Sequence, residues 1–122
     1  MTIITRLSDN KDIQLSKIKG TLVNLSHFIE VLNDIPQVNE WQLEIRKQNN
    51  DPYEVDEIVV YVTPQAGADQ TVLSQLIKDK LTGATEVSPN EIKFIPLEEI
   101  VKRLELETAN KEKRILDVRP KV

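Results

Sequence analysis

Between Glu40 and Arg46 the chain changes side at every residue: Trp41, Leu43 and Ile45 share one side, and Glu40, Gln42, Glu44 and Arg46 share the other. A period of two belongs to a β-strand, and an apolar side opposite a polar one predicts a strand covered on one face only. Gln48-Asn49-Asn50-Asp51-Pro52 then turns the chain, because these residues accept left-handed backbone angles or preset a turn angle. The returning run Glu57-Ile58-Val59-Val60-Tyr61-Val62 is β-branched and aromatic, and Pro64 closes it. Together these segments predict a long antiparallel hairpin.

Helical spacing flanks that hairpin in the chain. Leu25, Phe28, Ile29 and Leu32 predict a helix from Ser26 to Asn33, with Ser26 as its N-terminal cap and Pro36 stopping it. Val72, Leu73, Leu76, Ile77 and Leu81 form a stripe of period 3.6 between Ala68 and Leu81, and Gly83 is the expected C-terminal cap. Ahead of both, the weak alternation from Ile13 to Val23 around Gly20-Thr21 predicts a small β-hairpin. Behind them, Glu91 to Pro96 predicts a short strand, Leu97 to Leu104 a helical turn or two, and Ile115 to Val118 a terminal strand. The expected fold class is α+β: an N-terminal small β-hairpin, then an antiparallel sheet with helices packed on one face, in a ferredoxin-like order of elements.

What the chain lacks restricts its chemistry further. It has 122 residues, enough for one core, and shows no internal repeat, low-complexity tract or second domain. With no cysteine and a single histidine, His27, it offers neither thiolate chemistry nor the usual zinc and triad arrangements, so no metal site is expected. His27 has no second ligand at suitable spacing and reads as a surface or capping residue. The formal net charge of -4 argues against nucleic acid, and no apolar run approaches a bilayer span, so no membrane partner is expected. Met1 to Arg6 is too short and too polar for a secretory signal, and the expected location is cytoplasmic. Trp41 reads as core, and Glu98, Glu99, Glu105 and Glu107 read as a solvated helix face without the ligand spacing of a calcium loop.

One region carries a chemical reading of its own. In Thr108-Ala109-Asn110-Lys111-Glu112-Lys113-Arg114, three cations fall in four positions before an apolar strand. Taken alone, such a run is a solvated turn; projected outward, it is a basic tip suited to an anionic ligand.

The order of short motifs resembles the C-terminal domain of phenylacetate-CoA ligases, members of the adenylate-forming superfamily. The matching blocks are Lys17-Ile18-Lys19-Gly20, Phe28-Ile29-Glu30-Val31-Leu32 running into Asp34-Ile35-Pro36-Gln37-Val38, Glu91-Ile92-Lys93-Phe94-Ile95, and Asn110-Lys111-Glu112-Lys113-Arg114-Ile115-Leu116-Asp117. They cover nearly the whole chain from about Asp12, and their combination is more specific than any one block. The resemblance implies residues 1–12 as a hinge or linker region and 13–122 as a single lid domain. It also implies a larger enzyme that joins a carboxylic acid to ATP, releases pyrophosphate, and passes the acyl group to coenzyme A. In such an enzyme an N-terminal adenylation domain holds ATP, magnesium and the acid, and the lid rotates between the two half-reactions.

Residue by residue, the family's tail pattern of Gly-Lys, one residue, then Lys-Arg places Lys111 as the adenylation lysine, with Asn110 standing for the glycine. Asn110 tolerates glycine-like angles. An ammonium about 4 Å from two converging anions relieves about 4 kcal/mol of repulsion at an effective dielectric near 20. The resemblance offers Lys113, Arg114, Lys19 and Gly20 as contacts for phosphate or coenzyme A, and Lys113 and Arg114 equally read as cations facing water. For the hinge, the register set by Gly20 selects Asp12, and a register with a small insertion selects Asp9; both stay open. Thr21 to Ser26 is one residue longer than the family's segment and lacks its proline. The fragment alone is expected to be inactive, with no ATP or coenzyme A bound. The rival reading is a stand-alone α+β ligand-binding or regulatory module without catalysis; a weaker third is a phosphate-rich ligand held directly by Lys111, Lys113 and Arg114.

Overall fold

The structure is a computed structural model that describes residues 15–105 and 114–121. Strands β1 (Leu15–Ile18) and β2 (Thr21–Asn24) form a separate antiparallel hairpin with Ile18 opposite Thr21. Its turn is Lys19-Gly20, at φ 52° and 81°, and positive φ at both central residues is what a tight type I′ hairpin requires. The expected hairpin is thus present, and the boundary expected after residue 12 lies outside the described residues.

Helix α1 (Leu25–Asn33) follows directly. Its cap is Asn24 and not Ser26: the Asn24 side-chain oxygen accepts the Ser26 amide at 3.1 Å and the Ser26 hydroxyl at 2.9 Å, because the helix begins at Leu25 and its cap falls two residues earlier than expected. Phe28 and Leu32 are its buried stripe.

Strands β3 (Val38–Lys47) and β4 (Asp56–Pro64) form the predicted hairpin, with Leu43 opposite Val60 and Ile45 opposite Ile58. The connecting turn contains Asn49 and Asn50 at φ 55° and 56°, the angles for which asparagine is suited. Helix α2 (Gln70–Thr85) starts on Asp69, whose carboxylate accepts the Thr71 and Val72 amides. It does not end at Gly83. The helix continues until Thr85 is buried and its hydroxyl donates to the Leu81 carbonyl at 2.7 Å, so the left-handed cap falls on Glu86, at φ 65°.

Strand β5 (Glu91–Phe94), helix α3 (Leu97–Leu104) and strand β6 (Ile115–Asp117) complete the described elements. The main sheet has the order β5-β4-β3-β6. Its central pair is antiparallel, but β5 runs parallel to β4 and β6 parallel to β3, so the α+β class holds while the sheet is mixed and not wholly antiparallel. The reason is connectivity: α2 carries the chain back across the sheet before β5 begins, which returns it in the direction of β4.

The helices also divide between the two faces. Trp41, Leu43, Ile45, Ile58, Val60 and Val62 pack with α1, α2 and the small hairpin. On the opposite face, Val59 and Tyr61 meet Ile100 and Leu104 of α3. Helices on one face only is therefore corrected to two on one face and one on the other. Burying Ile100 and Leu104 contributes about 1.5–3 kcal/mol each, which is what seats a helix of two turns. Gln42, expected to face water, is fully buried beneath α3; its amide donates to the Arg103 carbonyl at 2.9 Å and accepts from the Arg103 guanidinium at 2.7 Å.

Candidate functional site

The functional candidates that the structure describes fall at opposite ends of β3. At the Trp41 end lies Arg114, the residue that leads into β6. Its guanidinium donates to the Trp41 carbonyl at 2.9 Å, pairs with the Glu40 carboxylate at 2.6 Å, and lies 5.4 Å from the centre of the Trp41 ring. Its own carbonyl accepts the Leu43 amide at 2.8 Å. Arg114 is thus engaged with the sheet from both backbone and side chain. Trp41 itself is 2 % exposed and donates its indole N–H to Asn33 at 2.8 Å, which fixes it as core.

At the Lys47 end lies the Lys19-Gly20 turn. Lys19 and Gly20 line an open cleft of 530 Å³ together with Lys47, Val55, Asp56 and Asn90. A side-chain carbon placed on Gly20 meets nothing within 4 Å, so it is the left-handed backbone at φ 81°, and not crowding, that calls for glycine there. The Lys19 ammonium donates to the Ser88 carbonyl at 2.9 Å, and partial burial lowers its pKa from the ordinary value, outweighing the opposing pull of Glu57 and Asp56. From Trp41 to Lys47 is six steps along β3, about 20 Å at ~3.3 Å per residue. The structure therefore does not bring Arg114 together with Lys19 and Gly20. Lys111, Lys113, Asp9 and Asp12 lie outside the described residues.

Asp56 organises the cleft end. Its carboxylate accepts the Lys19 amide at 2.8 Å, pairs with the Lys47 ammonium at 2.8 Å and lies 3.4 Å from the Arg119 guanidinium. Burial pushes its pKa up, but the Lys47 ammonium, the Lys19 amide and Arg119 outweigh burial and hold it below the ordinary carboxylate value. Arg119 is in turn bound by Asp117 at 2.7 Å, and it donates to the Lys17 carbonyl at 2.8 Å and the Ser16 hydroxyl at 2.9 Å. A second open cleft, of 590 Å³, lies beside Lys47, Asp117, Arg119 and Lys121. Asp56, Lys47 and Arg119 escaped the sequence reading because they carry no local pattern: Lys19 and Asp56 are 37 positions apart, and Lys17 and Arg119 are 102 apart.

The arrangement lines an open cleft with Lys19, Lys47 and Asp56, while the Lys19 ammonium is bound to the Ser88 carbonyl and the Lys47 ammonium to Asp56. Among the described residues, no group of three or more His, Asp or Glu side chains could hold a metal ion, and no helix is long and apolar enough to cross a membrane.

Comparison with known structures gives the class first. The chain has the fold of a domain found in CoA ligases. More narrowly, a solved domain of phenylacetate-coenzyme A ligase from Bacteroides vulgatus superimposes with a TM-score of 0.67 at 14% identity, covering 92% of this chain and 99% of that one. 2-Hydroxyisobutyryl-CoA ligase, solved with 2-HIB-AMP and CoA in its thioesterification state, matches with a TM-score of 0.64 at 15% identity over 85% of this chain. The match spans 21% of that ligase. Acyl-CoA synthetase from Brucella canis matches 69% of this chain at a TM-score of 0.51 and 16% identity, over 16% of its own length. No protein-family model and no curated protein sequence matches the chain. The shared fold is the one anticipated from the order of motifs.

Proposed function

We propose that this chain serves as the C-terminal lid of an ATP-dependent acid-CoA ligase of the phenylacetate-CoA ligase type, and that Lys111 supplies the cation for acyl-adenylate formation. The observation that carries the reading is the agreement of fold across 92% of this chain and 99% of the phenylacetate-CoA ligase domain. The coverage of 21% and 16% of two whole ligases supports a role as one part of a larger enzyme. In this reading the partner is an N-terminal adenylation domain, which binds ATP with magnesium and the carboxylic acid, and coenzyme A is the acceptor in the second step. Asp9 or Asp12 is the hinge.

The separation along β3 gives the reading a mechanical form. The Arg114 guanidinium beside Trp41 and the Lys19-Gly20 turn beside Lys47 lie at places about 20 Å apart along β3, too far to serve one reacting centre together. A lid that rotates between half-reactions uses them in turn: Lys111 enters for adenylation, and the Lys19-Gly20 end faces the phosphate-bearing coenzyme afterwards. Without the large domain the fragment is inactive.

The test is complementation. Mixed with the adenylation domain of a matching acid-CoA ligase, the chain restores acid-dependent pyrophosphate release, and Lys111→Ala removes that restoration. Full restoration by Lys111→Ala takes Lys111 out of the mechanism, and no restoration by the unmodified chain removes the lid reading.

A further inference from the structure

We propose that Asp56 is a positioning residue that holds the Lys19-Gly20 turn in the conformation that meets a phosphate-bearing ligand; the ligand part of this inference rests on the lid reading. The turn is costly to hold. Lys19 is not glycine, yet it sits at φ 52°, where a side-chain carbon crowds the following carbonyl. Something must offset that cost, and the Lys19 amide finds it 2.8 Å away in the Asp56 carboxylate, across 37 residues of sequence. This is the contact that ties the turn itself to the main sheet.

The carboxylate is itself fixed. Lys47 holds one oxygen at 2.8 Å, and Arg119 lies 3.4 Å from the other while donating to Ser16 and Lys17 on the first strand of the same hairpin. Asp56 is 8 % exposed, so it is a poor direct ligand for an incoming anion. Its negative charge also repels one. Its geometry suits a supporting role: it orients the turn, and the turn places Lys19 and Gly20 in the lining of the cleft.

The experiment has two arms. In the first, hydrogen exchange of the amides is followed by NMR on the 122-residue chain alone. Asp56→Ala speeds exchange of the Lys19 amide by about tenfold, whereas Asp56→Asn, which keeps an oxygen acceptor, recovers most of the protection. If Asp56→Ala does not fold, Arg119→Ala gives a smaller acceleration at the same amide. Unchanged Lys19 exchange in the folded variants overturns the proposal whatever the chain's function. In the second arm, each variant is combined with the adenylation domain, and the KM for coenzyme A is compared with the KM for the acid. Asp56→Ala raises the first about fivefold more than the second, and Asp56→Asn rescues the difference. Equal effects on both KM values overturn the positioning role. Failure of the unmodified chain to restore any turnover, with the exchange result intact, removes the lid reading and leaves the Asp56 contact to the turn standing.

Discussion

Arg103 lies with its guanidinium carbon 3.7 Å from the centre of the Tyr61 ring while donating to Gln42 at 2.7 Å and to Glu44 at 2.9 Å. One side chain from α3 therefore covers an aromatic face, satisfies a buried amide and neutralises a carboxylate on two adjacent strands. Such a cation-aromatic contact is worth about 0.5–2 kcal/mol, and the hydrogen bond to the buried Gln42 oxygen adds about 1 kcal/mol. Arg103→Ala is expected to lower unfolding free energy by about 2–3 kcal/mol in urea titrations. Arg103→Lys keeps the charge but loses the planar fork, and it recovers less than half of the loss. Equal stability of the lysine variant and the parent refutes the stacking argument.

Arg114 closes over Trp41 from the other end of the segment that follows α3. Removing its side chain leaves the Trp41 carbonyl and the Glu40 carboxylate short of a donor, with an expected loss of about 1–2 kcal/mol. Trp41 is the single tryptophan, so its quenching by acrylamide reports on the cover directly. Arg114→Ala raises the quenching constant, whereas Glu40→Gln, which still offers an oxygen, leaves it close to the parent's. Identical quenching in Arg114→Ala means that the guanidinium does not shield the indole.

The end of α2 predicts two stabilising substitutions. Gly83 lies inside the helix, where alanine is better by about 1 kcal/mol, and a side-chain carbon there meets nothing within 4 Å. Glu86 holds the left-handed cap, a conformation that costs a residue with a side chain about 1 kcal/mol relative to glycine. Gly83→Ala and Glu86→Gly are each expected to raise the melting temperature. The reverse pattern, with Glu86→Gly destabilising, shows that the Glu86 side chain contributes more than its backbone strain removes.

Acid stability follows from the Asp56 and Asp117 carboxylates. Asp117 lies below its ordinary value of 3.8 through its hydrogen bond to Arg119, with burial opposing; Asp56 lies below the same value because its cationic partners outweigh burial. A folded-state value below the unfolded one means that the stabilisation is complete above the ordinary value and disappears as pH falls through it toward the depressed values. Urea midpoints are therefore expected to hold steady down to about pH 4 and to fall below it, with a shallower fall in Asp56→Asn and Asp117→Asn. An acid limb of unchanged steepness in both variants excludes these two groups as its source.

Local periodicity accounts for the parts of the fold that were legible. The β3 alternation and the β4 run set the central hairpin in register, and the stripes around Phe28 and Ile77 marked α1 and α2. The second covered face was written in β4, where Ile58-Val59-Val60-Tyr61-Val62 is apolar on both sides, a pattern of strands buried on both faces. It was masked by β3, whose polar side is paired with Arg103 under α3 instead of facing solvent. Strand direction was hidden for another reason: whether β5 and β6 run parallel depends on how α2 and α3 carry the chain, which no residue pattern within a three- or four-residue strand records. At the site, Lys19 and Gly20 were visible through the family match, while the turn was expected at Gly20-Thr21 and falls one residue earlier, on Lys19-Gly20. Asp56 and Arg119 were not visible, since each acquires its role only when distant segments meet.

Arg119 stands near the very end of the chain, yet it grips Ser16 and Lys17 near the first described residues. The closing stretch is thus a clasp for the opening one. Trimming the protein after Val118, a natural choice for anyone seeking a tidier fragment, removes one anchor of a hairpin a hundred positions away, so a shortened version that fails to restore turnover says nothing about the chemistry of the residues removed.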